Sequence, residues 1–168
     1  MAEKEKVMKY DIDGFEAITP AIRSLLNEYP GLPDGDEIAF ATLADDKGKA
    51  MFPVSGASIE TEKTSVTGRV VQVCLYPFYV IYRGSGLSES RKAAVKEWLD
   101  DLGKWLEKQP ITVKGETYTI TDYPELTGNR TILEIKRTSP AYLESIEANK
   151  AENWAISISV GYRNVYRK

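Results

Sequence analysis

The sequence predicts an α+β fold, a single domain in which a mainly antiparallel sheet packs against two main helices. Three observations predict it. The run TGRVVQVCLYPFYVIYR, rich in strand formers, passes through GSG into the helical stretch LSESRKAAVKEWLDDLGKWLEKQP. The last segment, WAISISVGYRNVY, alternates apolar and small or polar residues at the period of a strand. The order along the chain is helix, strands, helix, strands, with no internal repeat or low-complexity linker dividing it. A chain of 168 residues with 42% hydrophobic content makes one domain, 1–168, able to bury a real core.

The elements follow in order. Residues 1–10, MAEKEKVMKY, are charged and short of apolar residues and read as a flexible tip. A helix is expected from about Asp13 to Tyr29, because Phe15, Ile18, Ile22, Leu25 and Leu26 recur at helical spacing. Pro20 falls inside that pattern, and we expect it to mark the first turn with Thr19 as N-cap. YPGLPDGDE then ends the helix as a loop. EIAFATLA reads as a strand, DDKGKA as a turn, and MFPVSGASIETEKTSVTG as a polar β segment with little to bury, so that 55–67 is a candidate protruding loop or hairpin.

A strand from Arg69 to Arg83 would be on the order of 50 Å long, far beyond the usual five or six residues. It must bend or reach outside its domain. Pro77 in its middle cannot donate a ladder hydrogen bond, which predicts a bulge, a bend or an edge facing a partner. In the next helix, Ser88 to Gln109, the residues Val95, Trp98, Leu99, Leu102, Trp105 and Leu106 form one apolar stripe of core anchors. Ser88 is the expected N-cap, Glu89 and Lys104 suit the two helix ends, and Pro110 stops continuation. ITVKGETYTI reads as a two-residue hairpin around Gly115 and Glu116. A strand is expected at Thr131–Arg137, followed by a helical or turn segment in SPAYLESIEANKAE. In the final strand Trp154, Ile156, Ile158, Val160 and Tyr162 share one face, with Trp154 a further core anchor.

Histidine is absent, which removes serine–histidine, cysteine–histidine and histidine–metal chemistry. The adjacent acids have ordinary explanations. Asp45 and Asp46 lie in a turn, and Asp100 and Asp101 diverge by about 100° on a helix and cannot easily share a proton. We therefore expect a non-enzyme with no catalytic residue, no metal and no cofactor. Gly84, Ser85 and Gly86 before a helix resemble a phosphate cradle, but no Lys-Ser or Lys-Thr follows, and Glu89 would repel a pyrophosphate. The lone Cys74 sits among Val73, Leu75 and Tyr76 and reads as a buried packing residue. The net charge of −3 argues against a general nucleic-acid binder. Neither a signal peptide nor a membrane span is recognisable, so the expected compartment is a cytoplasm.

VTGRVVQVCLYPFYVIYR, GLSESRKAAVKEWLDDLGKWLEKQP, YPELTGNR, RTSPAYLES and ENWAISISVGYRN together resemble the tail terminator or minor capsid proteins of tailed phages and prophages of Gram-positive bacteria, over roughly Leu25 to Tyr166. The resemblance implies a virion protein, assembled in the host cytoplasm, that forms a ring of six subunits on the head-proximal end of the tail tube. The ring would stop tube growth and meet a head-side connector or stopper, with DNA passing through its lumen without specific binding. The residues suit such a role. The turn at Asp45, Asp46 and Lys47 and the polar segment carrying Ser58, Glu60, Glu62 and Thr64 could add fingers to a neighbour. Tyr76, Tyr79 and Tyr82 crowd one strand and are candidates for either an interface or an ordinary core. The alternatives are a head-completion or connector protein of the same virion, or a small phosphate-ligand-binding domain using the Gly84–Gly86 turn.

Overall fold

The computed structural model describes residues 8–168, so most of the expected N-terminal tip, residues 1–7, lies outside the described residues. Two long antiparallel strands, β5 (Arg69–Gly84) and β10 (Glu152–Arg167), pair residue for residue along their whole length. Their 16 residues each make a ribbon on the order of 50 Å long. Shorter strands lie end to end along each side. On the β5 side, β4 (Ala57–Thr64) pairs with its first half and β3 (Gly48–Pro53) with its second. On the β10 side, β9 (Tyr142–Ile146) pairs with its start and β8 (Arg130–Arg137) with its later part. Two-residue strands, β1 (Tyr10–Asp11) and β2 (Ala39–Phe40), flank β4 and β3.

This arrangement explains Pro77. Its partner on β10 is Ser159, with no register break, so there is no bulge on that side. The carbonyl of Pro77 accepts from Val54 N at 3.1 Å, which places its missing N–H toward the gap where β3 ends and β4 has not begun. A proline there costs no ladder bond. The register shifts lie elsewhere, in β4 between Ile59 and Thr61, at Gly161/Tyr162 where β10 meets β8, and at Asn153/Trp154 where β10 meets β9.

The even positions of the ribbon, Cys74, Tyr76, Phe78 and Val80 with Ile156, Ile158, Val160 and Tyr162, form one core with two helices. Helix α1 (Gly14–Leu26) contributes Ile18, Ile22, Leu25 and Leu26, and α2 (Glu89–Leu106) contributes Val95, Leu99, Leu102, Trp105 and Leu106. Ser88 caps α2 by accepting from Arg91 N, and Lys108 ends it in the left-handed region at φ 64°. Gly103 lets α2 approach the sheet closely, since a Cβ there would run into the Arg137 side chain and the tip of Ile156.

Several expectations are corrected. Helix α1 starts six residues before Pro20, which lies inside it, and Thr19 is not the N-cap: its hydroxyl donates to Phe15 O at 2.7 Å. Pro20 is exposed, and burying Ile18, Ile22, Leu25 and Leu26, at about 1.5–3 kcal/mol each, outweighs its helix penalty of about 3 kcal/mol. The segment after Pro140 is the strand β9, not a helix. The hairpin β6 (Ile111–Val113) to β7 (Glu116–Tyr118) turns at Lys114 and Gly115, one residue earlier than expected, and both take positive φ. Trp98 and Trp154 are only half-buried at the rim of the core. Trp98 meets Tyr29 and Tyr82 edge-on and donates its indole N–H to Gly31 O at 2.7 Å.

Candidate assembly surface

The β4–β5 hairpin is exposed without a break from residue 60 to residue 67. Glu60, Glu62 and Thr64 lie on it, as the sequence suggested, but Ser58 is 6% exposed and is removed from the candidate interface because β1 and β5 flank it. A polar relay stiffens the hairpin: Asn164 Nδ2 donates to Gln72 Oε1 at 3.1 Å, and Gln72 Nε2 donates to Glu62 Oε2 at 2.7 Å, across three strands. At the tip, Ser65 Oγ accepts from Arg69 N, and Gly68 supplies φ 87°.

The turn at Asp45, Asp46 and Lys47 is exposed, yet its backbone is tied down. Asn149 Nδ2 donates to Asp45 O and Ser85 Oγ to Asp46 O, both at 2.9 Å, while Arg83 holds Ala44 O at 3.0 Å. The same Arg83 reaches Asn153 and Glu147. The side chains of the turn are thus presented on a fixed frame.

The three tyrosines part company. Tyr76 is fully buried against Phe15 and hydrogen-bonded to the Thr19 hydroxyl, so it is a core residue and not an interface one. Tyr82, also on the helix side, is half-buried against Trp98 and under the Lys49 ammonium at 4.4 Å. Tyr79 points to the opposite face and stacks on Phe52 with centroids 5.4 Å apart and planes 12° from parallel. The edge strand β9 was missed by sequence reasoning, and it carries Tyr142, Leu143 and Ile146 at 42%, 41% and 62% exposure. Their spacing, i, i+1, i+4, suits one helical face as well as a strand, and no local signal decides between them.

The most buried charges form a lock between the start of the chain and the sheet. Asp11 accepts from Arg130 Nε and Nη2 at 3.0 and 2.9 Å and from the Tyr162 hydroxyl at 2.7 Å. Burial works to raise the Asp11 pKa, but those hydrogen bonds and the Arg130 charge outweigh it and hold the carboxyl below its ordinary value. Tyr162 is pushed far up by burial and by Asp11. Burial likewise pushes the neighbouring Cys74 thiol up to about 11, which leaves it a protonated packing group. Every buried polar side-chain atom among the described residues has a partner, so this cluster holds structure and leaves no donor or acceptor waiting for a ligand.

At the Gly84–Gly86 turn, the Ser85 hydroxyl is committed to Asp46 O and the Ser88 side chain already caps α2, with Glu89 in its first turn. These commitments weigh against a phosphate cradle there. Asp100 is bonded to Lys96 and Ala141 N, while Asp101 is raised by burial and then by Glu97; the two share no proton. Among the described residues no group of three or more Cys, Asp or Glu comes together as a metal would need, and no helix is long and apolar enough to cross a membrane.

Fold and surface define a two-layer α+β protein with a projecting hairpin and an apolar edge strand. No family model matches the chain, and no curated protein matches it. Among solved structures the chain is similar to one described as "Virion of native gene transfer agent (GTA) particle", at 10% identity and a TM-score of 0.44, covering 93% of this chain and 100% of that one. A likeness that distant assigns no function by itself.

Proposed function

We propose that this chain is a virion assembly protein, a tail terminator that forms a ring, of six subunits, at the head-proximal end of the tail tube, stops tube polymerisation and joins tail to head. Its work is structural, with no catalytic step. The observation that carries the reading is the edge strand β9, which offers an unpaired strand edge together with Tyr142, Leu143 and Ile146 to solvent. An isolated globular protein blunts such an edge, whereas an assembly subunit covers it with another protein of the particle. The sequence resemblance to terminator proteins and the stiffened, exposed β4–β5 hairpin, suited to strand addition on a tube or connector, support the same assignment.

The test is the mass of the purified protein by light scattering, with and without purified tail tubes, alongside negative-stain imaging. A ring that caps one tube end is the expected result. A strict monomer that ignores tubes overturns the reading.

A further inference from the structure

The outer face of the sheet, away from the helices, holds a second apolar row. Along β5 the odd positions Val71, Val73, Leu75, Pro77, Tyr79 and Ile81 are all apolar, flanked on β3 by Phe52. None of them belongs to the core cluster or packs against it, since both helices lie on the even face. A strand of an antiparallel sheet with one wet face alternates apolar and polar; β5 is written instead like a strand buried on both faces. Opposite the middle of this row, β10 contributes only the small residues Ala155, Ser157, Ser159 and Gly161, so the side chains of β5 stand clear on that side.

The hairpin end of this face is cationic in a chain of net charge −3. Arg69 and Arg167 stand directly opposite one another in the ladder, an arrangement that destabilises a sheet on its own. Lys63 and Arg163 lie on the same face, against Val71 and Val73. None of the four is in an ion pair among the described residues. The α1 part of the opposite layer has the complementary sign: α1 and the loop after it expose Asp13, Glu16, Glu28, Asp34 and Glu37, acids in no ion pair among the described residues, against the one exposed cation Arg23, whereas α2 exposes acids and bases in near balance.

We infer that the outer sheet face is the subunit interface of the ring and that its occupant is the acidic α1 side of a second copy of this chain. This deepens the terminator reading and rests on it for the closed ring. Sheet face and helix layer are on opposite sides of the same molecule, so the contact is head-to-tail, the kind that closes by rotation into a ring. Docking would bury the apolar row from Val71 to Tyr79 and neutralise the paired arginines with carboxylates of the neighbour.

A charge swap tests it. Arg163→Glu/Arg167→Glu reverses the sheet side, and Glu16→Arg/Glu28→Arg reverses the helix side; all four positions are exposed, and melting curves check that both variants stay folded. Light scattering across a concentration series should show each variant alone self-associating more weakly by about tenfold or more, with a 1:1 mixture recovering the wild-type mass because both contacts are again complementary. Unaltered assembly of either folded variant, a mixture that stays dissociated, or a monomeric wild type overturns the inference. Tube capping is scored in parallel on the wild type. Capping with swap-insensitive assembly removes this interface and leaves the terminator reading, whereas a swap-sensitive oligomer that ignores tubes removes the terminator reading and keeps the interface.

Discussion

Asp11 ties the first described strand to a residue 119 positions away, through a two-pronged bond to Arg130 and a third bond from Tyr162. Removing the carboxylate leaves a partly buried guanidinium without its counter-charge. Asp11→Asn should therefore cost about 3 kcal/mol at neutral pH, read by chemical denaturation. The pH dependence has a definite sign. Because the folded-state pKa of Asp11 is depressed, its contribution is present above the unfolded-state value and is lost as pH falls through the folded one. The gap in stability between wild type and Asp11→Asn should accordingly stay constant from pH 7 down to about 4 and shrink below it. A gap that persists unchanged at pH 2 would show that the carboxylate charge is not what Arg130 recognises.

Helices carry the next predictions. Pro20 lacks the N–H that would bond Glu16 O and sits on the exposed side of α1. Pro20→Ala restores that bond at no cost in packing, offset in part by greater freedom of the unfolded chain, so it should raise stability by about 2 kcal/mol in a denaturation titration. Leu102 on α2 is fully buried against the sheet, and Leu102→Ala should lower stability by about 2–5 kcal/mol through lost transfer energy and a cavity. Near-normal melting of Leu102→Ala would contradict the placement of α2. Trp98, which shares the same sequence stripe, sits at the rim and holds Gly31 through its indole, so its loss should chiefly loosen the loop after α1.

At the scale of the whole molecule, the ribbon outruns the layer that covers it. Residues 60–67 at its hairpin end are exposed and contribute nothing to the core, whereas Ala57, Ser58 and Ile59 are buried or packed against it. Replacing Val66, Thr67 and Gly68, the exposed tip that joins Ser65 to Arg69, by a tight Asn-Gly turn should leave melting cooperative and the melting temperature nearly unchanged while abolishing tube capping. Loss of cooperativity would make the hairpin part of the fold. Capping retained at wild-type level would move the contact to another surface.

Period and punctuation alone determined the two long strands, helix α2 with its cap and stop, the burial of Cys74 and the exposure of Glu60, Glu62 and Thr64, because each depends on residues a few positions apart. Only the tertiary structure decided the rest. Tyr76 and Ser58 went inward because α1 and β1 came to lie beside them, β9 became a strand because β10 offered it a ladder, and Pro20 stayed helical because its neighbours' burial outweighed its penalty. Asp11 found Arg130 across most of the chain. The apolar residues on both faces of β5 stand in its sequence, but which face the helices would take, and so which was left without a helix layer, depended on partners brought together from distant parts of the sequence, where local periodicity carries no information.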